Sequence, residues 1–268
     1  MQAPLRCHLY REVLGGRVFR LITPRPIDGL VISTNRYHET WHIVSAPGHV
    51  RALRRLVWAA AFDDHRDTLF VVAGGTLAPT PFDGARSRPL VIVCAERAHV
   101  RSDDVRALLG RLRRRRKNDG TVKLQTPGLE RMDALDGGAY HRQVCAAGVK
   151  GSRWRDPRVE LLGGAIVLSG TAAALRHAAS AWSHLERPLP PGDSSHEYVD
   201  RRRTGWPEGE VQVFADFAAM LVDARIERAR ALGAPGDVPR HEIDEIVCAR
   251  RQVRTARRTA LGAAVRRR

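Results

Sequence analysis

Two short runs, Thr68 to Ala73 (TLFVVA) and Pro89 to Cys94 (PLVIVC), constrain this chain most. Both are almost wholly apolar and rich in β-branched residues, the pattern of strands buried on both faces. Between them lies GGTLAPTPFDGARSR, a long Gly/Pro-rich loop with no room for a helix. The two strands are therefore not joined by a regular βαβ crossover. Loops of that length inside a domain tend to be functional or mobile rather than plain connectors.

Around this pair the N-terminal two-thirds alternates β-like and helical patterns. Arg17 to Ile22, Gly29 to Ser33, Gly120 to Gln125 and Val159 to Gly170 read as strands, the last with a central Gly163-Gly164 that marks a bulge or a close backbone approach. His49 to Phe62 reads as a helix with Val50, Leu53, Leu56, Val57 and Ala60 inward and Arg51, Arg54 and Arg55 facing elsewhere. A helix over 102–117 starts at Ser102-Asp103-Asp104 and ends in RLRRRRK, so its acids and bases suit the macrodipole. Thr171 to Leu185 reads as another, and residues 127–157 show no sustained period.

The stretch 189–210 carries no hydrophobic period and reads as a Pro-rich linker. Val211 to Leu232 and Arg240 to Val265 beyond it read as helices. The expected organisation is an α/β domain over 1–188, with a mixed α+β arrangement also compatible, then the linker, then a basic helical hairpin over 211–268. The architecture is a mixed sheet with flanking helices.

The net charge of +16 invites a polyanionic partner, but 45 basic residues of which only Lys117, Lys123 and Lys150 are lysine is also what GC-rich codons produce. Location says more than the total. Residues 101–117 and 240–268 carry +6 each, so two segments hold +12 of the +16. Such concentration supports contact with phosphates through Arg. The residues expected to make it are Arg106, Arg113, Arg114, Arg116 and Lys117 on the first helix, and Arg250, Arg251, Arg254 and Arg258 on the last. Acids of the same chain, Glu208, Glu210, Asp216 and Asp223, are the competing partners for the last helix. Neither basic helix contains an aromatic residue, which argues against stacking on single-stranded bases.

One catalytic motif stands out. His38-Glu39-Thr40-Trp41-His42 matches H-E-x-x-H, in which a helix stacks two zinc-binding imidazoles and the glutamate serves as general base. Here Tyr, Thr, Trp, Ile and Val crowd together, so a strand is expected, pairing with GLVIST across a turn at TNRY. On a strand His38 and His42 stand too far apart to chelate one ion. A third ligand would have to come from Asp63, Asp64, His65 or Glu96. Zinc, with His38 and His42 as ligands and Glu39 as base, is thus the alternative, and no other cofactor is expected.

The four cysteines are widely separated and read as reduced thiols. No apolar run reaches the length of a signal peptide or a membrane span, which points to a cytoplasmic protein without a membrane partner. The function expected is a binding or accessory protein that contacts nucleic-acid backbone or an acidic protein. A zinc hydrolase and a structural interaction module are the alternatives.

Overall fold

Residues 5–14 and 17–24 alternate inward apolar and outward polar side chains around Gly15-Gly16, and they form the hairpin β1 (Leu5–Leu14) and β2 (Arg17–Pro24). The computed structural model describes residues 4–25, 30–82, 86–126, 128–134, 157–199 and 208–232. Within these, β1 and β2 belong to a seven-stranded mixed sheet with β5 (Thr68–Val72), β6 (Leu90–Cys94), β7 (Gly120–Leu124), β8 (Arg158–Leu162) and β9 (Ala165–Gly170). The order is β7-β1-β2-β5-β6-β9-β8. As their composition requires, β5 and β6 are buried throughout, lie at the centre and run antiparallel.

The sheet contains two parallel pairs, β2 with β5 and β6 with β9. Because β5 and β6 run oppositely, crossovers of the same hand around the two pairs place their helices on opposite faces. Helix α1 (Pro47–Phe62), from the first crossover, packs on one face, and α2 (Ser102–Arg114), from the second, packs on the other. Helix α3 (Leu129–Asp133) follows β7, and α4 (Ala172–Ala181), capped by Thr171 Oγ1, packs beside α1.

Residues 159–170 form two strands, where one was expected. Gly163 and Gly164, with φ of +58° and +87°, make the turn of a β8–β9 hairpin. The turn also abuts α2, because Gly163 N donates to Ser102 Oγ at 3.0 Å. A Cβ on Gly163 would fall 2.6 Å from Arg106 N and closer still to the Ser102 carbonyl oxygen.

A second, four-stranded sheet has the order β10-β11-β4-β3, built from β3 (Ile32–Tyr37), β4 (Thr40–Ser45), β10 (Ser194–Tyr198) and β11 (Gly209–Phe214). This corrects the reading of 189–232. The expected linker contains β10, and Val211 to Phe214 extends in a strand parallel to β4 before helix α5 (Phe217–Leu232) begins. The reason is the two-residue alternation of 209–214, which sends Val211 and Val213 into the core and leaves Glu210 and Gln212 on the other side. One sheet thus draws strands from both sides of residue 188. The expected second helix of the hairpin, Arg240 to Val265, lies outside the described residues.

Arg54 also departs from expectation. It is 1% exposed and ion-paired to Asp133 and Glu186, which ties α1 to α3 and to the 3-10 turn Trp182–Glu186. No helix among the described residues is long and apolar enough to cross a membrane.

Candidate functional site

The H-E-x-x-H string straddles a hairpin turn. Tyr37 pairs with Thr40 across β3 and β4, so His38 and Glu39 are the two turn residues, both exposed and both left-handed with φ of 46° and 66°. This agrees with the β reading of the segment but places the turn three residues later than TNRY, on the two residues that follow it. The helical geometry that would stack His38 and His42 on one metal is not formed. His42 is buried in β4, opposite Glu210 of β11, with 3.9 Å between Nε2 and Oε2. Burial, and the nearby His38 and His196, hold its imidazole below the usual range against a hydrogen bond with Gln212.

The suggested third ligands are engaged elsewhere. Asp63 meets Arg20 and His65, and Glu96 accepts from Ala172 N at 2.9 Å. Among the described residues no group of three or more His, Cys, Asp or Glu is placed to hold a metal ion. The two described thiols are poor nucleophiles: burial pushes Cys7 up to about 12, despite Arg55 and Arg25, and raises Cys94 as well.

The basic segment 101–117 is where the fold builds a concave surface. Val105, Leu108 and Leu109 bury against the seven-stranded sheet, as the helical period requires. A single helix of 13 residues is too narrow to cover that face, and clefts remain on both of its sides.

The larger cleft, of 1010 Å³, lies at the carboxyl ends of the parallel pair β2 and β5, a place where open sheets commonly bind ligands. Its walls include Arg113 from α2, Arg86 and Arg88 from the Gly/Pro-rich loop, and His8 and Tyr10 from β1. Among the described residues no acidic side chain lines it. A smaller hollow of 460 Å³ borders Arg113 as well, lined also by Arg106, Arg114 and the acidic Asp103.

Helix α2 ends at Arg114, three residues short of the expected end. Arg115 turns extended because its guanidinium is drawn to Glu12 and Asp119, while Arg111 reaches Glu12 and the Val13 carbonyl. These two bases are consumed within the fold. Arg106 pairs with Asp103 at the surface, and Arg114 donates to the Gly110 carbonyl. Arg113, Arg114, Arg116 and Lys117 are exposed and make no ion pair among the described residues. Arg250, Arg251, Arg254 and Arg258 lie outside the described residues.

The loop that supplies Arg86 and Arg88 is held to the edge of β3. Ala78 N donates to the Ile32 carbonyl, Ser33 Oγ to the Pro79 carbonyl, and Thr34 N to Ser87 Oγ. Thr34 Oγ1 donates to the Arg88 carbonyl at 2.9 Å and accepts from Arg88 N at 2.7 Å. The loop therefore covers an otherwise open strand edge. Arg86 and Arg88 line the cleft together with Arg113, and the Arg88 guanidinium lies over the Trp41 ring, 5.8 Å from its centroid.

Sequence reasoning singled out Arg113 and this loop but not their meeting. His8 and Tyr10 carry no charge signal, and β1 is not among the strands expected from the sequence. The available signal was the alternation of Leu5, Cys7 and Leu9 ahead of Gly15-Gly16. Compared with known proteins, the chain matches no family model, no curated protein and no solved structure.

Proposed function

We propose that this protein binds a polyanion, the phosphate backbone of nucleic acid, along the α2 side of its seven-stranded sheet. The observation that carries the reading is that arginines from two distant segments, Arg86 and Arg88 with Arg113, line one cleft that no acidic residue lines among those described. Arg114, Arg116 and Lys117 extend the same surface past the end of α2. Arginine suits the task, since its planar fork matches phosphate oxygens and it stays charged at any working pH. Because phosphate contacts carry no sequence information, the protein is a positioning or accessory binder rather than a reader of base sequence.

The test is salt dependence. If these six cationic side chains neutralise about six phosphates of a duplex, log affinity should fall against log salt with a slope near −5. Neutralising Arg113 and Arg88 to Gln should lower affinity evenly across sequences and flatten the slope by about 1 for each phosphate left without its cation. A salt-independent affinity, or no binding at low salt, overturns the reading.

A further inference from the structure

The cleft holds two rings that a purely electrostatic site does not need. His8 and Tyr10 are two residues apart on β1, so both project from the sheet face that α2 partly covers. Their rings meet edge to face with centroids 6.3 Å apart, rather than stacking on one another. Tyr10 also packs against the core beneath α2, which holds it in place.

His8 is oriented from behind. The Asn118 side-chain amide donates to His8 Nδ1 at 2.9 Å, which leaves the ring's proton on Nε2. Burial, and after it Arg25, keeps the imidazole below its usual pKa and so neutral at pH 7. His8 therefore offers one N–H donor beside an aromatic ring, against Arg113, Arg86 and Arg88 on the other walls.

We infer that the occupant of this cleft is single-stranded nucleic acid, with one unpaired base lying against Tyr10 and His8 and its flanking phosphates on Arg113 and Arg86. The inference rests on the polyanion reading above and narrows it. A concave site of this size takes in a nucleotide that has left the stack, whereas a duplex can bring only its backbone to the rim. Every base has a flat face for the rings and acceptor atoms for the Nε2–H, so the site tolerates any sequence. The lack of aromatics in the basic helix is no obstacle, because the rings come from β1, about a hundred residues away in sequence.

The experiment compares a fluorescent single strand of about 10 nucleotides with a duplex of equal length, each titrated with the full chain at low salt. Tyr10→Leu keeps apolar bulk without a ring face, Tyr10→Phe keeps the ring, and Arg113→Gln removes a cation. The single strand should bind more tightly, and Tyr10→Leu should weaken it by about 5- to 150-fold while leaving the duplex unchanged. Tyr10→Phe should restore it, and Arg113→Gln should weaken both ligands.

Equal binding of both ligands with no effect of Tyr10→Leu overturns this inference and leaves the polyanion reading standing. Binding of neither overturns both. A mononucleotide that binds as tightly as the oligonucleotide also overturns the inference, since the cleft would then hold a small molecule rather than a strand. Should Tyr10→Leu fail to fold, photocrosslinking of bromouridine-containing single strands to the unaltered protein decides the matter. Crosslinks at Tyr10 or His8 support the site, and crosslinks confined to other segments overturn it.

Discussion

Thr34 and Arg88 are hydrogen-bonded to each other twice, the threonine hydroxyl accepting from the arginine N–H and donating to its carbonyl. The pair ties the edge of the four-stranded sheet to the loop that walls the basic cleft. Thr34→Val keeps the shape of the side chain and removes both bonds. It should cost about 1–3 kcal/mol, because the Arg88 backbone groups lose their partner at a part-buried site. The loop amides should then exchange hydrogen faster while those of β5 and β6 do not. Polyanion affinity should drop although no cation has been touched.

The turn at His38 and Glu39 uses residues poorly suited to it. Two-residue hairpin turns with both φ positive favour Asn-Gly, and a left-handed conformation costs an ordinary L-residue roughly 1–2 kcal/mol. Replacing the pair with His38→Asn and Glu39→Gly should raise stability by about 1 kcal/mol or more, measured by urea unfolding. Polyanion binding should be unaltered, since neither turn residue lines the cleft. A fall in stability would mean that these side chains hold the hairpin in a way their exposure does not indicate.

What was legible in the sequence followed from period and burial. The apolar stripes of α1, α2 and α4 and the interior character of β5 and β6 are direct consequences of which residues must leave water. What escaped were pairings between distant segments. Nothing near residues 194–214 signals that β11 finds β4, because the parallel partner lies about 170 positions away and edge strands such as β10 carry no apolar alternation. The burial of Arg54 is hidden for the same reason. Its charge predicts exposure unless Asp133 and Glu186 are known to meet it, and they arrive from 79 and 132 residues downstream. The candidate site shows both sides of this. Charge density located α2, but only the fold brings Arg86, Arg88, His8 and Tyr10 to Arg113.

Arg54 makes a direct test of buried electrostatics. Arg54→Ala removes a cation that is 1% exposed and strands Glu186, itself 11% exposed at the side chain, with only Arg51. The expected cost is about 3–5 kcal/mol, chiefly from the uncompensated carboxylate. Arg54→Met combined with Glu186→Leu should recover most of that loss, because apolar packing replaces a pair that is expensive to desolvate. Urea unfolding of the single and double variants measures both quantities. A double variant no better than Arg54→Ala would mean that the network orders α3 and the Trp182–Glu186 turn in a way apolar packing cannot replace.

His42 and Glu210, facing each other across β4 and β11, should impose opposite pH dependences on stability. Burial, aided by His38 and His196, holds the His42 imidazole below its ordinary 6.5 in the folded chain. Between that folded value and 6.5 the unfolded chain binds a proton that the folded chain does not. His42 therefore contributes its full stability above pH 6.5, and that contribution is lost as pH falls through the folded value. His8 and His49, both lowered by burial, act with the same sign. Glu210 runs the other way. Burial raises its carboxyl above the ordinary 4.5, against the pull of His196, so its contribution is present below 4.5 and is lost as pH rises through the folded value. Denaturant midpoints measured from about pH 4 to about pH 8 separate the two. His42→Gln should shrink the acid-side decline below pH 6.5 without abolishing it, since His8 and His49 remain. Glu210→Gln should raise stability near neutral pH and leave it little changed at the acid end. Parallel pH curves for the unaltered protein and both variants would show that the pair does not titrate as its burial requires.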